Sequence, residues 1–371
     1  MSVFGTRPEA IKMAPVVRAL VSAPERFESL VCLSAQHRQM LDQIIRAFEL
    51  KVDFDLDLMR PGQTPCDVAS GVLAAIPRVF AQVRPDVIMV QGDTTTTAAT
   101  SMAAFMSGIA VAHVEAGLRT DDIRQPFPEE MNRRLATLVS TLHFAPTTRA
   151  RDALLREGVA AANVTVTGNT VIDALLSRVR ADYRFEAPEL AALGAEGRMV
   201  LVTMHRRESF GEPMRAVCVA LKIIAARHPE LRFMLPVHPN PRVKEIVEPE
   251  LGDHPQFILT QPLEYLDFIH AMARSYLIIT DSGGVQEEAP ALDRPVLVTR
   301  EVTERPEGVQ AGAAVLVGTD VTRIVEAAER LLTDALAYER MATAPNPYGD
   351  GRASERIIEA LDDWATACVF S

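Results

Sequence analysis

Carboxylates and a histidine stand where short apolar runs stop, which is where an α/β sheet delivers side chains to a ligand. "DVIMVQGD" ends on Asp93, and "AVAHV" is followed at once by Glu115. Packing gives no reason for a carboxylate directly after such a run, so Glu115 reads as functional. Asp93 alone also suits a helix N-cap. "PFPEEMNRR" puts Glu129 and Glu130 in a first helical turn behind Pro128. The helix dipole favours acids there, so by themselves these two divide evenly between stability and chemistry. "MVLVTMHRRESFG" runs from an apolar stretch into His205, Arg206, Arg207 and Glu208, ahead of Gly211. That set suits anion binding or proton transfer.

Cations and glycines occupy the other strand ends. In "GTRPEAIK", Gly5 permits a sharp turn, and Arg7 and Lys12 sit where a helix begins with Pro8 in its first turn. "TDSGGVQEEAP" raises a question, because acids follow a glycine pair suited to phosphate. Gly283 and Gly284 let backbone N–H groups approach an anion at a helix start. Ser282 can cap that helix or donate to phosphate. Glu288 lies about one helical turn beyond Gly284, where it can accept from two vicinal hydroxyls, as acids do for ribose in dinucleotide folds. A nucleotide with a ribose and a diphosphate accounts for both halves of the motif. "TERPEG" adds Arg305 as a phosphate cation.

The elements that must position these residues are legible from the apolar runs. Strands are expected at 29–34, 86–93, 109–117, 142–147 and 164–169, after a very short first strand. A second series falls at 199–205, 232–238, 256–260, 276–280, 294–299 and 313–318. Helical segments between them include 15–22, 69–82, 214–227 and 321–332. Strand–helix alternation with continuously apolar strands implies α/β architecture with parallel sheets covered on both faces. The rhythm breaks between 183 and 198, so two doubly wound, Rossmann-like domains are expected, 1–172 and 173–351. A last helix, about 352–371, returns to the first domain. Two such domains would turn their strand ends toward a shared cleft.

Composition excludes several classes. The 371 residues carry a formal charge of −11, against general nucleic-acid binding. The four cysteines form no CxxC pair and the eight histidines are scattered, so no metal site is expected. Reduced thiols and the lack of a signal peptide at "MSVFGTRPEAIK" point to the cytoplasm. The uncharged stretch from Thr94 to Val114 is rich in threonine and serine, so it reads as a buried helix and strand, not a membrane span. Without GxGxxG or GxxxxGK[ST], neither a nicotinamide cofactor nor an ATP-hydrolysing P-loop is expected.

Together "GTRPEAIKMAPV", "QHRQMLDQ", "GDTTTT", "HVEAGLRT", "PFPEEMNRR", "TGNTVIDAL", "HRRESFG", "PVHPNP", "TDSGGVQEEAP", "TERPEGV" and "NPYGDG" resemble the non-hydrolysing UDP-N-acetylglucosamine 2-epimerases of bacteria, from Val3 to about Ile358. The resemblance implies a glycosyltransferase B type fold and a homodimer. It implies interconversion of UDP-GlcNAc and UDP-ManNAc without a cofactor, through elimination of UDP to 2-acetamidoglucal and its re-addition. It places Asp93, Glu115, Glu129 and His205 in catalysis. It assigns UDP binding to Arg7, Lys12, Arg206, Ser282, Gly283, Gly284, Glu288 and Arg305. It also implies a second, activating UDP-GlcNAc site with Gln36, His37, Gln39 and Gln63. The chain departs from the family where Pro65 and Cys66 follow "PGQT", where Leu263 stands near the expected uracil, and in a first strand short of apolar residues before "VFGTRPE".

Overall fold

The computed structural model describes residues 1–34, 38–60, 62–120, 122–191 and 198–369. Two compact units divide the chain: Met1–Ser177 with Gly349–Ser371, and Arg178–Tyr348. In the first, strands β1 (Ser2–Phe4), β2 (Val31–Leu33), β3 (Phe54–Asp55), β4 (Val87–Gln91), β5 (Ala110–Val114), β6 (Leu142–Ala145) and β7 (Val164–Val166) form one sheet. Their order is β3-β2-β1-β4-β5-β6-β7, every pairing parallel. The direction of winding reverses between β1 and β4, the place where such sheets bind ligands.

The second unit repeats the plan with β8 (Met199–Thr203), β9 (Arg232–Pro236), β10 (Phe257–Thr260), β11 (Leu277–Thr280), β12 (Val296–Val298) and β13 (Ala314–Leu316). The order is β10-β9-β8-β11-β12-β13, again wholly parallel, and winding reverses between β8 and β11. The central strands are buried because helices cover both faces, which is why they read as unbroken apolar runs.

The stretch from Thr94 to Val114 is a helix, Thr95–Met106, followed by β5. Among the described residues one helix, Pro65–Val83, is long and apolar enough to cross a membrane. Its Val72, Ile76, Val79 and Phe80 instead pack with Val3, Ile88 and Val90 of the sheet. Two expectations need correction. β3 was not foreseen, because two residues at a sheet edge leave no periodic signal. The first helix runs Arg7–Val21, so it starts where "GTRPEAIK" was expected to open one, and the segment 15–22 covers only its later turns, with Pro15 inside. The Thr6–Glu9 capping box, with a proline in the first turn, fixes the true start. The last helix, Ala353–Val369, packs on Arg7–Val21 within the first unit. The Asp173 carboxylate accepts from Ala353 N at 3.2 Å and Ser354 N at 2.7 Å, which anchors its start.

Candidate active site

In the first unit the polar groups gather at the carboxyl ends of β1, β4 and β5. Glu115 follows β5 with a φ of +64°, a left-handed conformation that non-glycine residues rarely adopt. Such strain persists where the surroundings fix it, commonly at functional sites. Here the fixing groups are plain. Lys12 Nζ lies 2.7 Å from Glu115 Oε1 and 2.5 Å from Oε2. The Gln91 amide also donates to Oε2, and Asn169 Nδ2 reaches Oε1 at 3.5 Å. The Glu115 side chain is only 5% exposed, so the ammonium is the charge that makes its burial tolerable.

Asp93 follows β4 beyond Gly92. Arg133 holds its carboxylate through Nε at 2.8 Å and Nη2 at 2.7 Å, and Asn132 Nδ2 donates to its carbonyl at 2.9 Å. Desolvation pushes the Asp93 carboxyl up, the Arg133 guanidinium opposes it, and the nearby Glu115 charge adds to the rise. A carboxyl under these opposing pulls is suited to exchange a proton.

The two glutamates of "PFPEEMNRR" separate in the structure. Glu130 is fully buried, 3.0 Å from Arg133 Nη1 and 2.9 Å from Arg134 Nε, and it accepts from Thr120 N at 3.2 Å. It is the internal anchor that holds Arg133 against Asp93. Glu129 is half-buried and takes no part in that network. Arg7 is exposed at the start of its helix, while Lys12 is taken up by Glu115.

Glu9, which the sequence reading did not single out, ties the two loops at the winding reversal together. Its Oε2 accepts from Gly5 N at 3.0 Å, Thr6 N at 2.7 Å and Thr6 Oγ1 at 2.8 Å. Its Oε1 accepts from Thr94 Oγ1 at 2.6 Å and Thr97 Oγ1 at 3.2 Å. The helix bearing Lys12 is thereby fixed to the turn after Asp93. Gly5 allows the close approach: a Cβ there would meet Ser34 Oγ at 1.9 Å.

Beneath the loop, His113 Nε2 contacts the Gly92 carbonyl at 2.7 Å, and since a carbonyl only accepts, Nε2 carries the proton. Burial lowers the His113 pKa to about 3 and that of His143 to about 4, from an ordinary 6.5. Both rings are neutral in the folded chain. The unfolded chain binds protons below pH 6.5 that the folded one refuses, so stability present above that pH is lost as pH falls toward 4 and 3. In His113→Gln the amide keeps the donor to Gly92. Its urea-unfolding free energy is expected to fall less steeply with acidification than that of the parent. Equal slopes would contradict this account.

In the second unit the loops after β8 and β11 meet. His205 and Arg206 follow β8, and Asp281, Ser282 and Gly283 follow β11. The Asp281 carboxylate accepts from His205 N at 2.8 Å and Arg206 N at 2.9 Å. The Arg206 guanidinium lies against Gly283, where a Cβ would stand 3.5 Å from Nη2. Ser282 takes the N-cap position of Gly283–Glu288 without a side-chain cap bond, which leaves its hydroxyl available. Glu288 closes that helix and is buried. Arg305 is paired through Nε with the buried Glu287. The Tyr348 hydroxyl accepts from Gly308 N at 2.9 Å and donates to Arg305 O at 3.0 Å. That assigns part of "NPYGDG" to holding the Arg305 loop.

Of the residues expected in an activating site, Gln36, His37 and the Gln39 side chain lie outside the described residues. Gln63 Oε1 accepts from Arg60 N at 2.6 Å. Among the described residues no cluster of His, Cys, Asp and Glu suits a metal ion.

Parallel sheets with polar groups gathered at the winding reversal, twice in one chain, define a Rossmann-like α/β protein with strand-end sites. The sequence model of the UDP-N-acetylglucosamine 2-epimerase family matches residues 19–362, and the chain belongs to that family. It is 52% identical over 369 residues to the UDP-N-acetylglucosamine 2-epimerase of Yersinia pestis, covering 97% of each chain. A Listeria monocytogenes structure matches with TM-score 0.94 at 46% identity, covering 99% of this chain and 96% of that one. The UDP-GlcNAc 2-epimerase of Neisseria meningitidis, solved with UDP-GlcNAc bound, matches with TM-score 0.87 at 44% identity over 97% of this chain and 98% of that one. The fold is of the glycosyltransferase B type.

Proposed function

We propose that the chain is a non-hydrolysing epimerase that interconverts UDP-GlcNAc and UDP-ManNAc at C2, supplying ManNAc units for surface polysaccharide. The observation that carries this reading is the strained, buried Glu115 held between Lys12, Gln91 and Asn169 one strand away from Asp93. The C2 proton is not next to a carbonyl, so direct deprotonation is too costly. Elimination avoids that carbanion. A base removes the C2 proton as the C1–O bond to UDP breaks, and a C1=C2 double bond forms in 2-acetamidoglucal. UDP then re-adds to C1 while C2 takes a proton on the opposite face. Two faces call for two acid–base groups, and Asp93, Glu115 and Glu129 are the candidates.

UDP is assigned to Arg7, Lys12, Arg206, Ser282, Gly283, Gly284, Glu288 and Arg305, with His205 serving the leaving diphosphate or the proton transfers. Lys12, already on Glu115, would respond to both the carboxylate and the anion. An activating UDP-GlcNAc at Gln36, His37, Gln39 and Gln63, and assembly as a homodimer, belong to the same reading; sedimentation tests the dimer and would oppose it by returning a monomer.

UDP-GlcNAc labelled with 18O in the C1–O bridge tests the elimination. The label is expected to scramble into non-bridging positions of the β-phosphate as UDP-ManNAc accumulates. UDP-ManNAc formed with the label wholly retained in the bridge would contradict C–O cleavage, and free ManNAc with UDP would make the enzyme a hydrolysing one. Arg305→Ala is expected to weaken UDP binding by about 1.5–3 kcal/mol, the range for a hydrogen bond to a charged group. Unchanged affinity by calorimetry would remove Arg305 from the site.

A further inference from the structure

A carboxylate stands behind His205 that no sequence signal assigned. Asp281 follows β11 directly, and its N–H donates to Thr203 O of β8 at 3.2 Å, so it sits at the winding reversal of the second sheet. Its side chain is 1% exposed. Oδ2 is occupied by the N–H groups of His205 and Arg206. Among the described residues Oδ1 has no well-aligned hydrogen bond, and it lies 3.1 Å from His205 Nδ1, within ion-pair distance. Burial pushes the Asp281 carboxyl up, but the His205 imidazole and the two backbone N–H groups outweigh it and hold it below its ordinary range. The group is therefore an anion that can only accept.

We infer that Asp281 is the positioning residue of His205: it holds the proton on Nδ1 and leaves Nε2 as the atom that works on the substrate. This rests on the proposed role of His205 in the epimerase reaction. An acceptor-only neighbour at Nδ1 requires Nδ1–H, so neutral His205 presents a bare Nε2, and protonated His205 presents Nε2–H to an anionic leaving group. The 35% exposure of the imidazole leaves one edge open to a ligand. The other groups facing it do not compete for this function. The His238 ring stacks on it at 5.9 Å, and His238 Nδ1 accepts from Asn240 N at 3.2 Å. Burial, then the His205 charge, lower the His238 pKa, so that ring stays neutral. Arg206, next in sequence, turns its guanidinium to Gly283.

The alternative role for Asp281 is a clasp for the turn, through its two backbone N–H bonds alone. Asp281→Asn separates the two. The amide oxygen keeps both N–H acceptances, while the amide NH2 faces the ring and can only donate to Nδ1. The expected result is a fall in kcat of about 10²-fold or more, with KM for UDP-GlcNAc near the parent value. The 15N spectrum of His205, assigned by comparison with His205→Gln, is expected to move from the Nδ1–H to the Nε2–H tautomer. A folded variant with parental kcat and an unmoved tautomer would overturn the inference. Should the variant not fold, the 15N spectrum of the unaltered protein decides: neutral His205 as Nδ1–H supports the dyad, and Nε2–H overturns it. That spectrum also separates this inference from the epimerase reading, because a parent protein that forms no UDP-ManNAc leaves the tautomer measurable.

Discussion

Glu115→Gln is expected to lower kcat by about 10²–10⁴-fold, the usual contribution of a positioned acid–base group. Glutamine keeps the shape and removes the proton-accepting oxygen. The half-buried Lys12 ammonium then loses the anion that sits 2.5 Å away, so the variant is also less stable. UDP affinity by calorimetry separates the effects: near-parental binding with lost turnover marks a chemical role. Near-normal turnover would take Glu115 out of the reaction.

Arg133→Met is expected to be the most destabilising of these changes, at about 3 kcal/mol, the lower end for breaking a buried ion pair. The side chain is 12% exposed and serves two carboxylates, Asp93 and the fully buried Glu130. Glu130 keeps Arg134 and the Thr120 N–H, which limits the loss. Among the described residues no second cation pairs with Asp93, and only the Lys12 charge still opposes the rise, so desolvation drives its pKa higher and it stays protonated to higher pH. Activity should therefore fall as well, and most at neutral pH. In Glu130→Gln/Arg133→Met the cost should be less than the sum of the single changes, because the buried charge left unpaired is gone. Urea unfolding of the three variants reads this directly; additive costs would mean that the Arg133–Glu130 contact is not what stabilises the segment.

The sheets were legible because parallel strands covered on both faces are continuously apolar, as in "VLVT" and "LIIT". The strand-end rule then led to Asp93, Glu115 and His205 without a known partner for any of them. What the sequence concealed were the partners. Glu9 reads as an ordinary first-turn acid, yet it joins the Gly5–Thr6 turn to the Thr94–Thr97 turn across 88 residues of chain. Glu130 and Glu129 are indistinguishable in composition, and only burial shows that Glu130 is the anchor of Arg133. Asp281 hides inside a motif whose glycines draw attention to phosphate. Each case needs the distance between segments remote in sequence, which neither periodicity nor capping rules encode.

Incubation with UDP-GlcNAc in D2O, followed by proton NMR with no acceptor present, tests the central claim most directly. The account predicts loss of the H2 signal together with growth of UDP-ManNAc deuterated at C2, and no free ManNAc. An unchanged spectrum from folded protein, or UDP-ManNAc retaining its C2 proton, would contradict it.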